Sequence, residues 1–293
     1  MIIRGSTISK IAPIATHRLF STRTDNARYG ASVGSNDEKK SIPSFRDGDI
    51  RTVDTFVKYP GLNKFMTKVH LTSGLTFTSM IGSSYLLAGI EPITALCVGL
   101  IGGLGSVVAF SSTNPTFKTI EHVSEDNKRG TMITVSENSP MRKLLYGTTF
   151  ASMSMMLSPM ITMVDPSIVA TAAAATGSIM LGSGAYAYMA KPDSLLKYQG
   201  VAYGALLGLV GVGLTSVAIG MLSGGSDLFY LLRSIDTYAG LAVFTGLNAV
   251  DTHTAIKLFK EKQPDHLACS MNSALNAANI FVRMMEILSK FRR

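Results

Sequence analysis

The feature that most constrains this chain is the near-absence of charge over two long stretches. From Val69 to Phe110 there is one acid, Glu91, and no lysine or arginine, and between Leu144 and Ala190 the only charge is Asp165. Such runs are long enough to cross a bilayer's hydrocarbon core as helices, and a helix is one of the few forms that can satisfy its own backbone polar groups there. Over the full 293 residues only 16% are charged while 46% are apolar, against about a quarter charged in an ordinary soluble domain. The chain reads as an integral membrane protein of all-α class, with the bilayer as its first partner.

The hydropathy pattern predicts about seven apolar helices, over roughly 68–89, 93–112, 143–163, 167–190, 199–222, 228–250 and 267–288. Small residues recur inside them: Gly99, Gly102, Gly103 and Gly105 in the second, Ala170 to Ala175 in the fourth, and Gly204, Gly208, Gly211 and Gly213 in the fifth. Small residues let helices approach closely where lipid gives no hydrophobic drive between them. Met153, Met155, Met156, Met160 and Met163 suit a packing stripe better than a soft-metal relay, because methionine fills irregular gaps. With no tryptophan in the chain, Tyr85, Tyr198 and Tyr230 are the candidate interface residues. Cys97 and Cys269 show neither metal-ligand spacing nor a disulfide framework and read as small buried packing residues.

The ends of the helices differ in charge. The connections after the second, fourth and sixth segments hold Lys118, Lys128, Arg129, Arg142, Lys143, Lys191, Lys197, Lys257, Lys260 and Lys262, and those after the first, third and fifth hold no Lys or Arg. This asymmetry places the basic loops on the inner side. The tail residues Lys290, Arg292 and Arg293 break the pattern if the last segment crosses fully. Either the tail lies on the opposite side or that segment is re-entrant.

Residues 1–20 contain Arg4, Lys10 and Arg18, several Ser and Thr, and no acid, and Ile8, Ile11, Ala12, Ala15 and Leu19 share one helical face. That is the pattern of a mitochondrial transit peptide. Arg18-Leu19-Phe20-Ser21 is similar to an arginine-three-back processing site, with cleavage between Phe20 and Ser21. Removing this segment takes three positive charges from the formal +8, so much of the basic balance is an address and nucleic acid is not an expected partner. Residues 21–62 are polar and aperiodic and read as a soluble arm, leaving 63–293 as the seven-helix membrane domain. The expected place is the mitochondrial inner membrane, multi-pass, with the arm in the matrix.

Chemistry-bearing residues gather at the C-terminus. Asp251-Thr252-His253 ends the sixth segment, and the seventh carries Asn276, Asn279-Ile280-Phe281, Arg283 and Glu286. Ionisable groups in or beside membrane helices mark pathways or partners. Arg233 with Asp236, and Arg283 with Glu286, each three apart, are expected to pair within their own helices. His253 and His266 fall in the last connection and are expected to be solvated. Asp251 either belongs to a site or ends its helix at the interface. No His-Glu-x-x-His helix and no Ser/His/Asp arrangement occurs, so no enzymatic activity is expected.

Asp251-Thr252-His253 followed by Asn279-Ile280-Phe281-x-Arg283 resembles the C-terminal signature of the Bax inhibitor-1 (TMBIM) family. Phe150 with Leu157-Ser158-Pro159 is similar to that family's third-helix ending, and the stretch Ala172 to Ala190 to its fourth helix. The resemblance runs from about Lys68 to Phe291, and the transit peptide is in the style of the family's mitochondrial branch. It implies a Bax inhibitor-1-like bundle around a central C-terminal helix. It also implies a slow, proton-sensitive calcium or cation leak or exchanger acting on mitochondrial ion balance and apoptosis. A non-conducting scaffold or regulator, working through inner-membrane protein partners, is the alternative. No cofactor is implied, and calcium enters only as a transported ion.

In the family, a carboxylate ending the sixth helix and one in the seventh act as a dyad. Asp251 matches the first, while Asn276 stands at the second. The pathway residues are thus Asp251, also the candidate calcium ligand, and Asn276, supported by Arg283, Glu286 and His253. Two carboxylates in a poorly solvated site repel when both are ionised and so sense pH. With Asn276 that repulsion is lost, although an amide carbonyl can still face a hard cation.

Overall fold

The computed structural model describes residues 55–124, 127–223 and 226–291. The expected transit peptide, its Phe20/Ser21 cut and the arm up to residue 54 lie outside the described residues. A short helix α1 (Thr55–Lys58) leads into α2 (Leu62–Leu86), then α3 (Pro92–Ser112). A hairpin of β1 (Thr116–Ser124) and β2 (Asn127–Glu137) follows. After it come α4 (Pro140–Thr162), α5 (Pro166–Met189), a 3-10 turn at Leu196–Tyr198, α6 (Gln199–Ser223), α7 (Asp227–Lys260) and α8 (His266–Phe291).

Local chemistry sets the helix starts. Glu91 accepts from the backbone N–H of Ile93 and Thr94 ahead of Pro92. Ser139 accepts from Arg142 N ahead of Pro140, and Asp165 from Ser167 N ahead of Pro166. An oxygen-bearing cap followed by proline satisfies an orphan donor, and the proline gives up an N–H that had no helical partner. Gly61, at φ 83°, turns the chain into α2; a Cβ there would be 3.1 Å from Ile133 Cδ1 and in a backbone region that favours glycine.

The C-terminal helix is the centre, as expected. α8 packs against α2, α4, α5 and α7, while α3 lies outside on α4 and α6 outside on α7. Phe281, Met285, Ala274 and Ala278 of α8 join Met80, Phe110, Tyr146, Phe150 and Leu157 in the main core. Among the described residues, only the segments Pro92–Ser112, Pro166–Met189 and Leu196–Gly220 are both long and apolar enough to qualify as spans by composition alone. These expose most of their surface. The inner helices α2, α4, α7 and α8 instead carry buried polar groups such as Thr149, Asn248, His253 and Arg283, which the bundle must satisfy internally.

Several expectations change. The hairpin was not expected; its strands pair antiparallel from Thr116↔Glu137 to His122↔Thr131, with an irregularity between His122 and Ser124. Thr116, Thr119, Ile120, Thr131, Ile133, Thr134 and Val135 supply the β-branched residues that suit a ladder. Two of the α3 glycines mediate close packing, since a Cβ at Gly99 would be 2.7 Å from Ser152 O and one at Gly102 2.7 Å from Ser152 Oγ, whereas one at Gly105 would meet nothing within 4 Å. Those of α6 do not, because a Cβ at Gly204, Gly208, Gly211 or Gly213 would meet nothing within 4 Å. Cys97 is exposed on the outer face of α3 while Cys269 is buried. Met153 and Met160 pack against the main core. Tyr85, Tyr198 and Tyr230 are all exposed near helix ends.

Contacts gather the basic connections at one end of the bundle. Lys260 pairs with Asp193 at 3.6 Å, and Ser136 Oγ lies 2.8 Å from His266 Nδ1. At the far end Glu286 takes Arg233 at 3.0 Å and Lys290 at 3.1 Å. Thus α8 runs as one unbroken helix from the basic end to the opposite one.

Candidate functional site

The seam between α7 and α8 holds the residues singled out from the sequence, and it opens with a boundary change. α7 does not end at residue 250 but continues to Lys260, because Ala255 and Ile256 pack with Leu62, Phe65 and Met66 of α2. Asp251 therefore sits inside a helix, half-buried, about 9 Å along the axis from Lys257 at 1.5 Å per residue. Asn276 Nδ2 donates to Asp251 Oδ2 at 2.8 Å. The amide thus faces the acid with its nitrogen, not with the carbonyl oxygen that a cation would use. Among the described residues no lysine, arginine or histidine forms a salt bridge with Asp251.

One turn from this pair, Ser273 Oγ donates to Asn248 Oδ1 at 3.5 Å. Asn248 Nδ2 in turn donates to Ser183 Oγ at 2.7 Å and to Met180 O at 3.3 Å, tying α7 to α5. His253 is not a solvated loop residue. It is 2% exposed, and its Nε2 donates to Ala187 O at 2.7 Å. A carbonyl only accepts, so Nε2 carries the proton.

The expected pairings within each helix are replaced by pairings between helices. Arg283 Nη2 donates to Asp236 Oδ1 at 3.0 Å and Arg283 Nε to Asp236 O at 3.2 Å. Arg283 Nη1 reaches Asn279 O at 3.2 Å and Oδ1 at 3.3 Å. The guanidinium also lies 4.8 Å from the Phe244 ring centroid. Glu286, expected to pair with Arg283, is taken by Arg233 and Lys290. Antiparallel packing of α7 on α8 places each acid nearer the opposite helix's base than its own neighbour. Gly240 makes this possible, because a Cβ there would lie 2.6 Å from Arg283 Cζ and 2.7 Å from Nη2.

A second buried cluster escaped the sequence reading. Arg142, 3% exposed, forks onto Asp265 with Nη1–Oδ1 at 2.9 Å and Nη2–Oδ2 at 2.5 Å. Its Nη1 also donates to Asn138 Oδ1, and its guanidinium covers Phe110 at 4.4 Å. Asp265 additionally accepts from Ala268 N at 3.2 Å, capping α8. The available signal was an Asp directly ahead of an apolar run, with an unmatched arginine at the same end. Beside it, burial pushes the His266 imidazole down to about 4, and the cations Lys68, Arg142 and Lys143 add to this against the pull of Asp265.

Among the described residues no group of three or more His, Cys, Asp or Glu comes together to hold a metal. The seam is thus a set of neutralised ion pairs and one acid, Asp251, whose partner is an amide.

The family described as inhibitor of apoptosis-promoting Bax1 matches residues 62–293. No curated protein and no solved structure matches the chain. The match begins where α2 begins and takes in every long helix, with the central α8 and the α7–α8 seam inside it: the chain belongs to the Bax inhibitor-1 family of multi-pass membrane proteins.

Proposed function

We propose that this protein is a slow, proton-sensitive cation leak or exchanger of the mitochondrial inner membrane, with calcium as the leading ion, acting on ion balance and apoptosis and not as an enzyme. The observation that supports it best is the isolation of Asp251. Asp236, Glu286 and Asp265 each have an arginine partner, whereas Asp251 has the Asn276 amide. A carboxylate kept inside a membrane bundle without a fixed counter-ion is the place where a passing cation finds one. The mitochondrial placement rests on the acid-free basic start of the chain.

The test is ion flux from purified protein in liposomes, with and without a pH gradient. Asp251→Asn is expected to abolish calcium-dependent flux. Asn276→Asp is expected to raise it and to add to its pH dependence near neutrality, because two like charges then share the site. Flux that is present and unchanged in both variants removes the pathway from this pair. Asn276 itself favours a second reading, a non-conducting scaffold or regulator. No flux from wild type together with flux from Asn276→Asp would select it.

A further inference from the structure

A groove of about 400 Å³ lies between α2 and α4, with an apolar body that includes Leu75, Phe150 and Ala151. Leu75, Gly147 and Ala151 are exposed along it, so it opens to the outside of the bundle. A Cβ at Gly147 would meet nothing within 4 Å, which keeps the α4 wall low. The hydroxyls across its floor satisfy one another. Thr76 Oγ1 and Tyr146 OH are 2.8 Å apart, and Ser83 Oγ donates to Ser154 Oγ at 2.8 Å. Polar groups paired in this way demand nothing further of a neighbour, so the groove suits a hydrocarbon chain.

One end of the groove carries charge. On α2, Lys68 stands four residues before Thr72, and on α4, Lys143 stands four before Gly147. Residues at that spacing share a helix face, so each lysine continues one wall of the groove by a turn. Thr76 meets Tyr146 and Ser83 meets Ser154, which makes α2 and α4 parallel and sets both lysines at the same, basic end. Both also act on the charge of the His266 imidazole there. Both are exposed, and among the described residues neither has an ion-pair partner. The acid beside them, Asp265, is held by Arg142. Basic pockets between membrane helices take the head groups of anionic lipids.

We propose that the α2–α4 groove binds an anionic phospholipid of the leaflet at the basic end. One acyl chain lies over Leu75, Gly147 and Ala151, and the phosphate sits between the Lys68 and Lys143 ammonium groups. The groove shares no residue with the α7–α8 seam, so the lipid binds whether or not Asp251 passes a cation.

The experiment uses full-length protein in phosphatidylcholine liposomes. These carry a trace of a lipid with a photoreactive diazirine in its acyl chain and either a phosphatidylglycerol or a phosphatidylcholine head group. After irradiation, mass spectrometry locates the adducts. The groove residues are expected to be labelled roughly ten-fold more by the anionic probe, the preference that two uncompensated lysines give a charged head group. Replacing both lysines, Lys68→Gln with Lys143→Gln, is expected to bring the two probes level, while Lys68→Arg with Lys143→Arg keeps the difference. High salt is expected to shrink it, because exposed charges are screened. Gly147→Leu, which fills the groove from its open wall, is expected to lower groove labelling by both probes several-fold. Labelling on the exposed face of α6, at Leu207 and Leu214, is expected to stay unchanged and so reports an intact fold. Equal groove labelling by the two probes in wild type means an ordinary lipid annulus and overturns the proposal. A preference that survives both glutamine replacements, or groove labelling untouched by Gly147→Leu, overturns it as well.

Discussion

Gly240 and Gly246 lie on the same helix, yet replacing each with alanine should have opposite effects. A Cβ at Gly246 would meet nothing within 4 Å, so Gly246→Ala should gain the helix propensity of alanine, up to about 1 kcal/mol. At Gly240 the new methyl lands on the Arg283 guanidinium, which cannot stay where it is. Displacing it loses the donation to Asp236 and leaves a buried charge, with Arg283 itself 9% exposed. Breaking a buried pair by disturbing one member costs about 3–5 kcal/mol. The Asp236 side chain is 32% exposed, so solvent screens part of this, and the alanine gain offsets about 1 kcal/mol more. The expected net loss is roughly 2–3 kcal/mol. A thiol-reactive dye can follow it in detergent, because Cys269 is buried and becomes reactive on unfolding once Cys97, which is exposed, is replaced by serine. A Gly240→Ala protein that melts at or above the Gly246→Ala protein would refute the claim that Arg283 is seated on bare backbone.

Asp265→Asn should destabilise by about 3–5 kcal/mol in the same assay, since it strands the buried Arg142 charge; pairing it with Arg142→Met should recover much of that loss. His266 has a folded value near 4 against an ordinary 6.5, so its contribution is present above about pH 6.5 and is lost as pH falls toward 4. Melting should therefore drop across that window, and His266→Asn should flatten the drop. In mitoplasts, a cysteine at Ser223 should react with an impermeant reagent while one at Lys128 stays protected, in a background lacking Cys97 and Cys269; the reverse would overturn the topology. Mass spectrometry of mature protein should find Ser21 at the N-terminus, and an intact Met1 on protein from the organelle would exclude the transit peptide.

The membrane helices were legible because their signals are local. Glu91-Pro92, Ser139-Pro140 and Asp165-Pro166 each join a capping oxygen to a proline, and each starts a helix as the chemistry dictates. The end of α7 was not legible, because Asp251, His253 and Lys257 look like an interface while the helix continues on the packing of Ile256 against α2. The pairings failed for a similar reason. Sequence separation favours Arg233 with Asp236, but the antiparallel register of α7 and α8, a tertiary quantity, gives each an opposite-helix partner. The hairpin was hidden by its basic residues, which suggest a loop, although its β-branched alternation was present.

The register also explains how the acid at the centre of the seam is tolerated. An aspartate in the middle of a membrane helix costs about 2.5–3.5 kcal/mol by insertion scales. A hydrogen bond to a charged group returns about 1.5–3 kcal/mol, and Asn276 supplies one at 2.8 Å. That bond offsets part of the cost of keeping the acid there. A carboxylate at position 276 would change this, because two acids at that distance demand a shared proton or a bound cation. If Asp251 carries the proposed leak, a cation there would first have to displace the Asn276 donor, and that exchange would favour weak binding and easy release, as a slow leak requires.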